Sequence, residues 1–388
     1  MRAFRFAMTG LGLVALLGSS LAGTASAQEV TSVTLQASAA KVVVGEAVTF
    51  SGAIAPAVEG EIVELLDELD AVVASATTDP AGAFSVALSP DRHLTLHAVW
   101  GSAVSEPVTV RVRAVVTVRM TPVRLFDRVI VRGTVAPAVP RARVEVTLLH
   151  AGRVVATKTP RMGTAGGYET SFRVLAPGTY RARVTFVDDA HLRGNAVTDA
   201  QTTPLPALRP GDRGVFVRLL EQRLVELHYR LEGVNRRYDF RTGDAVLAFR
   251  KVQRMPRVSS VDPAVWRALA DPIVPRPRLD IKAFHIEVDQ TRQVLYTVQG
   301  GKVTNVIHVS TGAGGATHDG SFRVYRKLAG YSPNRLYYPS YFDGLRAIHG
   351  WPEVPTYAAS HGCVRVPYWH AQWIFGLADV GTRIRIYH

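Results

Sequence analysis

The sequence predicts a multidomain, mostly β chain: two all-β sandwich repeats, a small three-helix bundle and a mostly β C-terminal domain. Three observations predict it. A β-rich stretch recurs at an offset of 81 residues. After a first proline cluster, apolar residues step by three and four, as on one face of a helix. After a second proline cluster, apolar and polar residues alternate again. A chain of 388 residues suits roughly two to four domains, and 47% hydrophobic content supplies several cores.

At the N-terminus, Arg2 and Arg5 precede the mostly apolar run Leu11 to Leu17, and Ala25-Ser26-Ala27 fits a small-residue cleavage pattern. Residues 1–27 therefore read as a cleaved signal peptide, and the protein as exported. The apolar run is short for a membrane span. The formal net charge of +13 favours polyanionic partners. Lys and Arg are scattered, and no helix-turn-helix, zinc-finger or RNA-binding signature stands out, so no nucleic acid is expected as partner.

Residues 30–114 and 115–203 form the two β domains. Val48-Thr49-Phe50-Ser51-Gly52 and Ala55-Pro56-Ala57-Val58 are echoed by Val129-Ile130-Val131-Arg132-Gly133 and Ala136-Pro137-Ala138-Val139. Gly82-Ala83-Phe84 is echoed by Gly166-Gly167-Tyr168 at an offset of 84, so short insertions lie between. Units of this size with many short strands suggest sandwiches. They loosely resemble bacterial immunoglobulin-like domains. Neither copy holds a cysteine or a titratable cluster of catalytic type, so both read as spacer or adhesion modules.

Pro204, Pro206 and Pro210 mark the first linker. Val217, Leu220, Leu224 and Leu227 then share one helix face, Val246 and Phe249 begin a second, and Asp262-Pro263 caps a third that carries Trp266 and Leu269. Leu208 to Gly214, together with these helical positions, resembles a peptidoglycan-binding domain over residues 208–271. The Asp-Gly-x-Phe-Gly turn usual between its first two helices is replaced by Val234 to Phe240, VNRRYDF. Pro272, Pro275 and Pro277 form the second linker, and two proline-rich linkers suggest modules that fold semi-independently.

The C-terminal domain spans 279–388. Phe284, Ile286 and Val288 alternate with His285, Glu287 and Asp289, and Val294, Tyr296 and Val298 repeat the pattern. This predicts antiparallel strands with one buried face. A helix led by Pro367 carries Trp369 and Trp373, and a last strand alternates Ile384 and Ile386 with arginines.

One stretch here concentrates chemistry. Ala347-Ile348-His349-Gly350 precedes Ser360-His361-Gly362-Cys363-Val364-Arg365, which holds the only cysteine of the chain. A lone thiol in an exported protein pairs between chains, lies inert in a core, or reacts. Its His, Gly and Arg neighbours favour reaction. A thiol becomes a nucleophile as thiolate, and an imidazole can take its proton. On this reading His349 holds the Cys363 thiol below its ordinary value near 8.5. Adjacent glycines let backbone N–H groups face an oxyanion, and Arg365 suits a substrate carboxylate. No cofactor is called for. No metal is expected either, since no ligand pair with zinc spacing joins His349, His361 and Cys363.

Val309-Ser310-Thr311-Gly312, Gly320-Ser321-Phe322, Tyr341-Phe342, the His349 stretch, Val354-Pro355 and the Cys363 motif together resemble the L,D-transpeptidase catalytic domain of the YkuD type. The resemblance implies Cys363 as nucleophile, His349 as its base and the Gly350 carbonyl as orienter of His349. Backbone N–H groups near Gly362 and Cys363 would hold the oxyanion, helped by His361 or Tyr341, and Arg365 and Ser360 would face substrate. It also implies a location in the cell wall or periplasm, with peptidoglycan stem peptides as donor and acceptor and anionic cell-wall polymer as partner. The implied reaction is a Cys thioester acyl-enzyme resolved into 3→3 cross-links. Two other readings stay open: an L,D-carboxypeptidase hydrolysing the same thioester, and a non-catalytic wall-binding or adhesion protein.

Overall fold

The computed structural model describes residues 30–388, so the signal peptide expected at 1–27 lies outside the described residues. The chain divides into two compact units, one ending at Arg113 and the other running Ala114–His388.

In the first unit two sheets close on one core. Val48–Ala55 lies between Ser32–Val33 and Gln36–Ala37 and also pairs Ala83–Leu88. The second sheet runs Lys41–Val43, Val108–Arg113, Leu94–Trp100, Ile62–Leu66, Val72–Thr77. Val48, Phe50, Val63, Leu65, Leu96 and Val110 fill the space between them. Residues 115–202 repeat the plan in the second unit, with Val129, Val131, Val146, Leu148, Ala182 and Val184 in the core. The repeated residues have a steric reason. A Cβ on Gly52 would lie 1.9 Å from the Thr34 carbonyl oxygen, and one on Gly133 would lie 1.9 Å from that of Thr117. Only glycine allows strands to approach so closely. Both Ala55–Pro56 and Ala136–Pro137 are cis.

Three helices follow: α1 Val215–Glu226, α2 Phe240–Val252 and α3 Pro263–Ala270. Asp239 caps α2 by accepting the Thr242 N–H at 3.1 Å, and Asp262 caps α3 by accepting the Val265 N–H at 3.0 Å. The VNRRYDF turn is held from outside. Buried Glu221 accepts the N–H groups of Asn235 (3.0 Å) and Arg236 (2.9 Å) and the Thr242 hydroxyl (3.0 Å). Its carboxylate thus organises a turn without the usual glycines.

The C-terminal domain has two sheets. One runs Lys302–His308, Val294–Gln299, His285–Asp289, Arg383–Tyr387, Gly320–Arg323. The other runs Arg326–Lys327, Tyr337–Asp343, Arg346–Trp351, Val364–Pro367. Ile286, Leu295, Ile348, Val364, Val366 and Ile384 pack between them, together with Ile374 of helix α4, Tyr368–Leu377.

Two expectations are corrected here. The first sheet is mixed, because His285–Asp289 runs parallel to Arg383–Tyr387. Both faces of His285–Asp289 and Val294–Gln299 are covered, so alternation there does not mark a solvated side. Val294, Tyr296, Val298, Val303 and Val306 pack in one cluster with Leu220, Phe249 and Trp266 of the helices. On the polar face, Glu287 is fully buried and accepts the N–H groups of Arg278 and Leu279. The second linker therefore lies on the sheet.

The helical segment is also no independent module. Its core is continuous with this sheet and with Leu125 and Phe126 of the second β domain. Lys251 of α2 is 2% exposed and donates to the carbonyls of Gln293 (2.9 Å) and Val309 (3.0 Å) and to His308 Nδ1 (2.6 Å). His308 Nε2 lies 2.9 Å from the Val354 carbonyl. That carbonyl can only accept, so Nε2 carries the proton and Nδ1 accepts. Burial holds His308 neutral, with its pKa lowered to about 3. Burial and the nearby Arg257 push the Lys251 pKa well down. The three acceptors nevertheless fit an ammonium with its three donors.

Replacing Lys251 by methionine leaves His308 Nδ1 and the Val309 carbonyl without this donor, while the Gln293 carbonyl keeps the Val309 N–H at 3.1 Å. A buried unpaired group costs about 1–3 kcal/mol, so Lys251→Met is expected to lower the urea midpoint of the second unit clearly. Tryptophan fluorescence of the full chain reads it. An unchanged midpoint would contradict this role.

Candidate active site

The site rests on a parallel pairing. Ile348 stands opposite Val364, His349 opposite Arg365 and Gly350 opposite Val366. Side chains alternate across a strand. Ile348, Val364 and Val366 point into the core, so His349 and Arg365 share the other face. Tyr341 joins this face through its pairing with Ala347. Cys363 stands just before Val364, at the entry to the strand.

Short bonds shape the Cys363 turn. Ser360 Oγ donates to the Cys363 carbonyl at 2.6 Å and accepts the Gly362 N–H at 3.0 Å. Thr317 Oγ1 accepts the Gly312 N–H at 2.7 Å and donates to the Gly362 carbonyl at 2.8 Å. Gly362 has φ +127°, and a Cβ there would meet Arg346 Nε at 2.7 Å and the Ala316 carbonyl at 2.8 Å. Glycine alone fits beside the cysteine for both reasons.

His349 is buried, and its Nδ1 lies 2.9 Å from the Gly350 carbonyl. This bond puts the proton on Nδ1 and leaves Nε2 as the basic nitrogen. Burial lowers the His349 pKa to about 4, the Gly350 bond partly opposes this, and Arg365 adds to it. The Trp351 ring meets His349 edge-on at 5.6 Å, and the Arg365 guanidinium lies 4.9 Å from the Trp351 ring centre. Trp351 also walls a cavity of about 530 Å³ with Tyr331, Arg335 and Tyr368.

Burial works against the expected thiolate. Cys363 is half-buried, and burial pushes its thiol up. The Ala347 N–H, Arg365 and Arg346 pull the other way without prevailing. With His349 also held down, both shifts favour a thiol and a neutral imidazole at rest. The reason is shared: both groups lie where charge is poorly solvated.

The other residues singled out in the sequence fall in different places. Ser360 is buried with its hydroxyl engaged inside the turn. The Gly362 N–H is likewise engaged, by Ser360. His361 is exposed. Tyr341 is buried under the Arg326 guanidinium, 4.2 Å from its ring centre. Among the described residues no group of three or more His, Cys, Asp or Glu side chains forms a metal site.

Sequence reasoning missed Arg346. Its Nε donates to the Ala316 carbonyl at 2.7 Å, and its Nη1 pairs with Asp343 at 3.0 Å. His318 bridges the same group, 3.0 Å from Asp343 and 3.0 Å from Arg346. The available signal was a charge directly before Ala347-Ile348-His349-Gly350. The helical segment also reaches this region. Arg257 donates to the Thr356 carbonyl at 2.8 Å, within the loop joining His349 to Cys363. Asp244 accepts from Trp369 Nε1 of α4 at 2.9 Å, and burial raises its pKa to about 6.

Comparisons with known proteins agree in kind. An L,D-transpeptidase from Xylanimonas cellulosilytica is 32% identical over 47% of this chain and 99% of its own, with TM-score 0.45. The catalytic domain of the E. faecium L,D-transpeptidase is 23% identical over 28% of this chain and 98% of its own, with TM-score 0.24. L,D-transpeptidase 3 from Mycobacterium tuberculosis is 11% identical over 71% of this chain and 99% of its own, with TM-score 0.25. No curated protein matches the chain. With TM-scores this low, the assignment rests on sequence. The family model for the L,D-transpeptidase catalytic domain, YkuD, matches residues 283–386. These residues are therefore a YkuD L,D-transpeptidase catalytic domain.

Proposed function

We propose that the chain is an exported cysteine L,D-transpeptidase acting on peptidoglycan stems, a substrate class on which the family acts. The observation that supports it most is the parallel register carrying His349 and Arg365 on one face, with Cys363 at the strand entry. Among the described residues no helix is long and apolar enough to cross a membrane.

Cys363 attacks the carbonyl of the third, diamino residue of a tetrapeptide stem. Because the resting group is a thiol, its proton passes to His349 Nε2 as the carbon–sulfur bond forms. Arg365 and Arg346 stabilise the negative charge in this step. With the Gly362 N–H engaged by Ser360, the Cys363 N–H is the oxyanion donor of the pair. His349 then gives the proton to the departing D-Ala amine, leaving a thioester. The side-chain amine of a second stem attacks the thioester, loses a proton to His349 and forms the 3→3 link. The thiolate leaves and takes the proton back. Arg365 faces the stem carboxylate with the donors that its weak 3.4 Å contact to Ala359 leaves open. The cavity beside Trp351 takes the rest of the stem.

Purified disaccharide-tetrapeptide incubated with the full chain tests this by mass spectrometry. The expected product is a dimer lacking one D-Ala. Trimmed monomer alone makes the enzyme a carboxypeptidase. Unchanged substrate makes the protein a wall binder. Cys363→Ala is expected to abolish the dimer.

The lowered His349 pKa sets a pH profile. His349 is neutral, and so able to accept a proton, above about pH 4. Wild-type alkylation by iodoacetamide is expected to stay nearly flat from pH 5 to 7 and fall as His349 protonates. In His349→Ala the rate depends on direct ionisation of a raised thiol, so it climbs with pH. At pH 6.5 the variant is expected to be about 10²-fold slower. Equal rates and equal slopes would remove His349 from the chemistry.

A further inference from the structure

Away from Cys363 lies a second cavity of about 580 Å³, lined by Lys251, Arg254, Arg257, Arg278 and Arg292, with Asp289 as the facing carboxylate. Four guanidinium groups around Asp289 repel one another. Asp289 is engaged by Arg292, accepting its Nη1 at 2.6 Å and its backbone N–H at 2.8 Å. Lys251 and Arg257 bond only neutral acceptors: Lys251 two carbonyls and the neutral His308 imidazole, Arg257 the Thr356 and Thr291 carbonyls. The two Arg257 bonds satisfy donors and leave its positive charge uncancelled. Among the described residues no ion pair engages Arg254 or Arg278. The Arg292 Nε is buried with no hydrogen-bond partner.

The guanidinium groups come from three elements, with Arg292 paired to Asp289 and Arg278 lying 4.7 Å over the Tyr387 ring. Arg254 follows α2, Arg278 sits in the second proline-rich linker, and Arg292 lies in the turn before Val294–Gln299. Forks that converge from three directions suit a tetrahedral anion, which presents oxygens on every side. A planar carboxylate offers two. A volume of about 580 Å³ falls within the range of about 300–1,000 Å³ usual for small-molecule sites, larger than one phosphate needs.

We propose that this cavity binds a multiply charged phosphate ligand, held by Arg254, Arg278 and Arg292. The proposal does not rest on acyl transfer at Cys363. It gives the basic charge of the chain a location: the seam between the helices and the catalytic sheet, distinct from the β repeats.

Inorganic tripolyphosphate and a poly(glycerol phosphate) oligomer, titrated calorimetrically into the full chain at 0.15 M salt, test it. Both sources share the phosphate chemistry. Tighter binding per phosphate by the oligomer identifies a polymer, and tighter binding by tripolyphosphate identifies a small ligand. Arg254 is exposed with φ +58°, so asparagine, which tolerates that backbone, replaces it. Arg254→Asn with Arg278→Gln is expected to weaken binding by about tenfold or more, as loss of charge-assisted bonds requires. A control pair, Arg183→Gln with Arg193→Gln, removes equal charge from a basic cavity of the second β domain and is expected to change binding by less than about twofold, since long-range charge is screened at this salt. Phenylglyoxal labelling of the unmodified chain gives a second reading: tripolyphosphate is expected to protect Arg254 and Arg278. No binding, equal weakening in both pairs, or no protection would overturn the proposal.

Discussion

The pairing of Arg346–Trp351 with Val364–Pro367 is the constraint on which the site depends. A parallel pair cannot be joined by a tight turn, so the chain must leave His349, cross the sheet end and return before Cys363. The register Ile348 to Val364 then decides everything local. A shift by one residue would turn His349 into the core and Ile348 outward. Burial of Ile348, Val364 and Val366 in one cluster opposes that shift. The arrangement of His349 and Arg365 is thus held by apolar packing on the face opposite to it.

The crossing loop is held by polar contacts from the helices. Val354 is bonded through His308 to Lys251, and Thr356 is bonded to Arg257. These are buried or half-buried contacts in poorly solvated surroundings, where each broken bond is costly. They tie the geometry of the loop between His349 and Cys363 to a segment that reads, by sequence, as a separate wall-binding unit. The same burial lowers the His349 pKa to about 4 and pushes the Cys363 thiol up. In the proposed reaction, activation of Cys363 then belongs to the attack itself, with proton and sulfur moving together, and a resting ion pair is not needed.

Much of this was legible in the residues. Gly52 and Gly133 of the β repeats recur because two strands approach too closely there for a side chain. The Asp262-Pro263 cap, the Val217-Leu220-Leu224 face and the alternation around Ile384 each appear as read. Local patterns report local geometry well. They report less of what covers a strand. The polar face of His285–Asp289 reads as solvated, yet it is buried because Glu287 collects N–H groups of the linker. At the site, spacing singled out His349 and Cys363 but overlooked Arg346, whose place beside Gly362 comes from a turn 30 residues upstream that supplies the Ala316 carbonyl. Nor does sequence tell a thiol from a thiolate. That depends on burial, which outweighs the cations beside Cys363.

The most direct measurement is of the acyl-enzyme itself. The full chain is mixed with a tetrapeptide stem whose diamino side chain is blocked, quenched in acid within seconds, digested and sequenced by mass spectrometry. The result expected is a tripeptide acyl group on Cys363 that hydroxylamine removes and that an added amine acceptor converts to cross-linked product. A stem-derived adduct on any other residue, or dimer formation undiminished in Cys363→Ala, would contradict the assignment of Cys363 as nucleophile.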